Sequence, residues 1–147
     1  MKLRALALSC GLVAAPVGLQ GCAPTDGNTT CEPGEVCMWV NDDYLGCFND
    51  LIPPNTDSDY TNASPDWNNC QFTINDHISS YINRSGGWIK WYYDSGFNGY
   101  SFCAAPSASS TDLQSFYRPG APSPEDDFSA HQTYGSEPAG CTFTDRN

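Results

Sequence analysis

Trp39-Val40-Asn41-Asp42-Asp43-Tyr44-Leu45-Gly46 recurs 53 residues later as Tyr92-Tyr93-Asp94-Ser95-Gly96-Phe97-Asn98-Gly99. The shared pattern is aromatic-x4-aromatic-x-Gly. An acidic-serine stretch follows each copy. The first is Asn75-Asp76-His77-Ile78-Ser79-Ser80 and the looser second is Glu125-Asp126-Asp127-Phe128-Ser129-Ala130, at an offset of 50. An internal repeat of this length decides architecture, and here it predicts a duplicated β-rich unit of about fifty residues. The aromatic half fits a tight β-hairpin. Its two rings pack over the fold of the hairpin, and Gly46 or Gly99 supplies a backbone conformation other residues avoid.

The chain around the repeat agrees with an all-β reading. No long segment carries a helical apolar stripe. Short β-prone runs bounded by Gly, Asn, Asp and Pro predict strands at Val36–Val40, Cys70–Ile74, Ser79–Asn83, Trp88–Tyr93, Tyr100–Cys103 and Cys141–Thr144. In Trp88-Ile89-Lys90-Trp91-Tyr92 the alternation sets Ile89 and Trp91 on one face, Trp88 and Lys90 on the other. Pro53-Pro54, Asn62-Ala63-Ser64-Pro65 and the Pro119–Pro124 stretch mark loops. The stretch from Asn49 to Asn69 is long for a loop and is expected to hold a turn of helix or to be stapled by its flanking cysteines. Asn28, Asn62 and Asn83 open N-glycosylation sequons, which count only in a eukaryotic source.

At 147 residues the chain suits one domain. Residues 1–21 read as an export signal: Lys2 and Arg4, then an apolar run from Ala5 to Leu19 broken by Pro16 and glycines. Leu19-Gln20-Gly21-Cys22 resembles a bacterial lipobox, with Cys22 as the lipid-carrying first residue of the mature chain. The competing reading is ordinary secretion with Cys22 free or paired between chains. Small polar residues 22–30 form a tether, and the domain is placed at 31–147 with its core at about 31–134. Lipidation of Cys22 leaves Cys31, Cys37, Cys47, Cys70, Cys103 and Cys141, an even number that reads as about three disulfides. Fifteen pairings are open in principle. Cys31 with Cys37 makes a local loop, and Cys47–Cys70 with Cys103–Cys141 is the matching choice for the rest.

After residue 21 the chain has seventeen acids against four fixed cations, Arg84, Lys90, Arg118 and Arg146, a balance of −13. Such a surface repels nucleic acid and anionic lipid headgroups. It suits metal cations, a basic partner, or simply solubility outside the cell. The expected membrane contact is the N-terminal lipid alone, and the expected state is a monomer.

The stretch Asn75–Ser80 also carries chemistry. Calcium takes six to eight oxygens from carboxylates, carbonyls, hydroxyls and water, and a loop offering Asp76, a backbone carbonyl and Ser79 supplies about half a shell. A polar turn in which Ser79 and Asp76 bond their own backbone explains the same residues. Zinc is a poor fit, because no cysteines have C-x2-C spacing and His77 and His131 are far apart. No acid–base pair or nucleophile motif stands out, so the chain is read as a non-enzyme.

Taken together, the two patterns resemble the βγ-crystallin fold. Within it they are similar to a secreted bacterial peptidase-inhibitor family of the actinomycete metalloproteinase-inhibitor type. The carrying residues are Cys31-Glu32-Pro33-Gly34-Glu35-Val36-Cys37-Met38-Trp39 and Asn75-Asp76-His77-Ile78-Ser79-Ser80-Tyr81-Ile82-Asn83. The resemblance implies a disulfide-stapled sandwich of two Greek-key motifs and an extracellular protease as partner. It also implies calcium sites shared between the loops. One would use the His77 carbonyl, Ser79 and Asp126, the other the Asp127 carbonyl, Ser129 and Asp76. Glu125 and Ala130 depart from the loop pattern, so one weak or missing site is expected. Inhibition carries over less directly, because Cys103 is the one cysteine between Tyr92 and Ala130. The short disulfide clamp of the family's reactive loop has no counterpart there, and no reactive-site bond is assigned.

Overall fold

The computed structural model describes residues 29–61, 70 and 73–146. The export signal, Cys22 and nearly all of the tether lie outside the described residues. Nine strands follow in order: β1 Val36–Asn41, β2 Leu45–Leu51, β3 Thr56–Asp57, β4 Ser80–Asn83, β5 Trp88–Asp94, β6 Asn98–Ala104, β7 Ser109–Ser110, β8 Ala130–Tyr134 and β9 Phe143–Asp145. Single 3-10 turns occupy Asp42–Tyr44 and Leu113–Phe116.

The strands form two sheets, β2-β1-β4-β7 and β3-β8-β5-β6-β9. Each half of the chain sends its third strand to the other sheet: β3 pairs with β8, and β7 with β4. The exchange ties the two Greek keys into one sandwich. Every pairing is antiparallel except β6 with β9.

The duplicated hairpin is visible in the backbone. Between β1 and β2 the register shifts at Trp39/Asn41, and between β5 and β6 at Tyr92/Asp94. Three left-handed residues follow in each corner: Asp43, Tyr44 and Gly46 (φ 56°, 60°, 83°), then Gly96, Phe97 and Gly99 (φ 72°, 63°, 75°). At Gly46 a Cβ would stand 2.6 Å from Val40, and at Gly99 2.4 Å from Asp94, so both space and dihedral demand glycine. The paired rings close over the corners, Trp39–Tyr44 at 5.1 Å and Tyr92–Phe97 at 5.4 Å.

Ile89 and Trp91 enter the main core with Met38, Leu51, Tyr81, Phe102, Phe128 and Phe143. Trp91 stacks on Phe128 at 5.6 Å and meets Tyr81 edge-on at 5.1 Å. On the other face Lys90 lies over the Tyr92 ring, while Trp88, at the strand's start, is half-buried and packs against the main core. A smaller cluster of Cys37, Trp39 and Phe48 covers the outside of the first sheet.

The bridges join Cys31 to Cys37, Cys47 to Cys70 and Cys103 to Cys141. The last fastens the chain's end to β6. There β9 adds a parallel edge and buries Phe143, and the Tyr81 hydroxyl donates to the Asp145 carboxylate. The Lys90 ammonium donates to the Ala139 and Gly140 carbonyls at 2.9 and 3.3 Å. Packed structure therefore continues past residue 134, beyond the expected core.

Of the expected strand Cys70–Ile74, residues 71 and 72 lie outside the described residues; Thr73 forms a single β-bridge, Cys70 is bonded to Cys47, and Ile74 is buried just before left-handed Asp76. By contrast, β2, β3, β7 and β8 were not expected. Leu-Gly-Cys-Phe-Asn-Asp-Leu and Ala-His-Gln-Thr-Tyr are weak strand sequences, and their pairing with β1 and β5 overrides that weakness.

Candidate functional site

The two acidic-serine loops meet at one edge of the sandwich, and each is built in the same way. The apolar fourth residue, Ile78 or Phe128, is fully buried and pins its loop to the core. Such an anchor is worth roughly 2–3 kcal/mol. The second residue, Asp76 or Asp126, is left-handed at φ 54° and 56°, a conformation that Asp tolerates better than most residues.

The backbones then exchange hydrogen bonds. Asp76 N–H donates to the Phe128 carbonyl at 3.0 Å, and Asp126 N–H to the Ile78 carbonyl at 3.2 Å. The side chains repeat the exchange. The Ser79 hydroxyl lies 3.3 Å from Asp126 Oδ1, and the Ser129 hydroxyl 3.3 Å from Asp76 Oδ1. Thus Ser79 is brought to Asp126 and Ser129 to Asp76, with His77 and Asp127 at the third position of their loops.

The Ser79 hydroxyl has a second acceptor, the Val40 carbonyl at 2.9 Å. A hydroxyl has one proton. When Val40 takes it, the oxygen lone pairs of Ser79 face the Asp126 carboxylate, an arrangement that suits a shared cation. Electrostatics point the same way. Burial, and then the charges of Asp76 and Asp126, raise the Asp127 pKa. Asp76 is raised by burial, with Asp126 adding to it, while bonds from Ser129 and Asn75 pull it down. Glu125 is raised by burial and by Asp126, Asp42 and Asp112. Acids crowd this edge, and among the described residues the one ion pair, Arg146–Glu137, joins two residues of the C-terminal segment. Oxygen donors and negative charge without a fixed cation fit calcium rather than a softer metal.

The loops differ in their last residue. Ser80 Oγ donates to the Asn41 carbonyl at 2.6 Å and accepts from Tyr44 N–H at 3.2 Å, binding the first loop to its own hairpin corner. Ala130 has no such group to offer the second corner. The sequence marks this departure, but the partners Asn41 and Tyr44 emerge only from the fold.

Other sequence-flagged groups have structural work. Asn83 is fully buried, and its amide donates to the carbonyls of Gly87, Ala104 and Ala105 at 2.9, 3.3 and 2.9 Å. It is not available as a glycan acceptor. His131 is fully buried between the Tyr60 hydroxyl (2.8 Å) and Asn55 Oδ1 (3.3 Å), and burial pushes its pKa down to about 3. Among the described residues the one tight group of metal-ligating side chains is Cys31, Glu35 and Cys37, and both sulfurs are consumed in a disulfide.

Family comparison completes the picture. The model of peptidase inhibitor family I36 matches residues 24–104, more than half of the 147-residue chain. The chain belongs to the I36 family. No curated protein sequence matches it. Among solved structures, one concerned with the evolution of the eye-lens βγ-crystallin domain fold is similar at TM-score 0.56 and 19% identity, covering 82% of this chain and 96% of its own. A βγ-crystallin from Ciona intestinalis is similar at TM-score 0.50 and 23% identity, covering 69% and 100%. A βγ-crystallin domain from Clostridium beijerinckii gives TM-score 0.50 at 15% identity, covering 69% and 99%. At these identities the likeness shows the fold alone: this I36 chain is a βγ-crystallin-like, disulfide-stapled sandwich.

Proposed function

We propose that the chain is an exported inhibitor of an extracellular metallopeptidase whose paired loops are stiffened by calcium. The I36 match over residues 24–104 carries this reading. Three disulfides support it, because they suit an oxidising compartment outside the cytoplasm and a scaffold that resists digestion. A lipid on Cys22 would hold the inhibitor at the cell surface, and mass spectrometry of the mature N-terminus tests that part. The role is that of a binder, as membership of an inhibitor family suggests.

Binding needs a rigid surface presented in its bound shape, since ordering a loop on contact subtracts from affinity. Calcium would serve that rigidity. Ser79, Asp126 and the His77 carbonyl would hold one ion, and Ser129, Asp76 and the Asp127 carbonyl another; the ion supplies charge neutralisation between the loops. The test is isolation of a complex. The purified domain mixed with a thermolysin-like metallopeptidase should co-elute with it as an inactive species. Separate elution with full peptidase activity removes the reading for such enzymes.

A second reading is favoured by the reciprocal Ser79–Asp126 and Ser129–Asp76 contacts. In it the chain is a calcium-stabilised structural module of the cell envelope without inhibitory action. Calcium-dependent melting combined with no effect on any peptidase selects this alternative.

A further inference from the structure

We infer that the peptidase-binding element is the loop from Ser115 to Pro122, with the Tyr117 ring as the anchor that enters an apolar pocket of the peptidase cleft. This rests on the inhibitor reading above. Three large apolar side chains are exposed among the described residues, Leu45 at 60%, Tyr117 at 55% and Tyr100 at 43%. Tyr117 belongs to this loop, and Tyr100 is linked to it through Tyr93, on which it packs at 5.8 Å and whose hydroxyl donates to the Pro122 carbonyl at 3.5 Å. Scattered exposed aromatics need no explanation, but one held at the tip of a stiff loop does.

The loop is stiff for stated reasons. Phe116 packs edge-on against core Phe102 at 4.9 Å, and Ala121 packs against the same core. Between them Ala121 N–H donates to the Arg118 carbonyl at 3.2 Å, closing a four-residue turn. Pro119 fixes the second position, and Gly120 at φ 98° takes the third, the pattern of a type II turn. Tyr117 precedes that turn in an extended conformation (φ −52°, ψ 135°), with its N–H held by the Gln114 carbonyl at 2.9 Å. Its backbone is fixed from both sides while its ring stands in solvent. A two-torsion aromatic on a fixed backbone loses little entropy on docking, the usual property of a dominant interface residue.

Charge adds to the case. Arg118 follows Tyr117 and is one of four fixed cations after residue 21 on a strongly acidic chain. Its guanidinium rests 5.8 Å from the Phe143 ring, so it too is held in place. The disulfide-closed loop Cys31–Cys37 is equally rigid, but its exposed tip is Pro33-Gly34, which offers no side chain able to fill a pocket. This element is held without a disulfide, by a half-buried ring packed on the core, a proline turn and a cation–ring contact.

The experiment measures inhibition constants against a thermolysin-like metallopeptidase for the wild-type domain and for Tyr117→Ala, Tyr117→Phe and Leu45→Ala, with melting temperatures as a check on folding. Tyr117→Ala should weaken inhibition by roughly 30-fold or more at an unchanged melting temperature. Tyr117→Phe should stay near wild type, and Leu45→Ala should be indistinguishable from it. A wild type that inhibits beside a folded Tyr117→Ala of equal potency overturns the loop assignment and leaves the inhibitor reading standing. A wild type that does not inhibit overturns both.

Discussion

Ser79 and Asp126 come from different repeats, yet their side-chain oxygens lie 3.3 Å apart. Ser129 and Asp76 repeat the contact at the same distance. The two acidic-serine loops are thus joined by two reciprocal contacts, and a substitution of either aspartate acts on the partner loop's serine.

Calcium should therefore raise the melting temperature, with stabilisation growing as RT ln(1 + [Ca]/Kd), about 2.7 kcal/mol at a hundredfold excess over Kd. Asp126→Ala should remove the contribution of the Ser79 half and Asp76→Ala that of the Ser129 half. The two losses should be unequal, because Ser80 ties one loop to its hairpin corner and Ala130 leaves the other untied. Thermal melts at millimolar calcium and in chelator check this. A melting temperature that ignores calcium in wild type and in both variants contradicts it.

Asn83→Ala should be among the most damaging single changes outside the apolar core. The amide serves the carbonyls of Gly87, Ala104 and Ala105, and its own oxygen receives Ser85 N–H and O–H. Removing it leaves several buried polar groups unsatisfied, at a cost of roughly 2–4 kcal/mol. Urea unfolding measures the loss, and a change below about 1 kcal/mol would show that water replaces the amide.

The hairpin corners were legible from sequence because they rest on local rules: a glycine where φ is positive, and two aromatics spaced to meet across it. The inward face of β5 was legible for the same reason. The two disulfides of longer span were expectations among three pairings still open after Cys31 and Cys37 close a local loop, and the fold is what brings Cys47 to Cys70 and Cys103 to Cys141. What could not be read depends on partners far along the chain. Asn49 and Asp50 lie in β2 because β1 holds them there. The C-terminal strand was expected, but its parallel pairing with β6 and the bond from Tyr81 to Asp145 were not. Ser80 and Ala130 were visibly different, but the consequence needed Asn41 and Tyr44 in place.

Acid should destabilise the protein before the carboxylates titrate. His131 is neutral when folded, its pKa pushed down to about 3, whereas an unfolded histidine takes up its proton near 6.5. The stability this contributes is complete above pH ~6.5 and is lost as pH falls towards the folded value. Asp76, Asp127 and Glu125 act in the opposite sense. Their folded pKa values are raised, so protonating them favours the calcium-free fold and competes with calcium. In chelator, unfolding free energy should fall between pH 7 and 5, and His131→Gln should flatten that slope. A wild-type profile level over this range contradicts the buried neutral imidazole.

The most direct measurement is a titration of a thermolysin-like metallopeptidase with the purified wild-type domain at millimolar calcium, read as residual peptidase activity. The expected result is a fall to near zero as the domain reaches a one-to-one ratio, with the domain recovered uncleaved or cleaved at one position. Full activity at large molar excess would contradict inhibition of such peptidases.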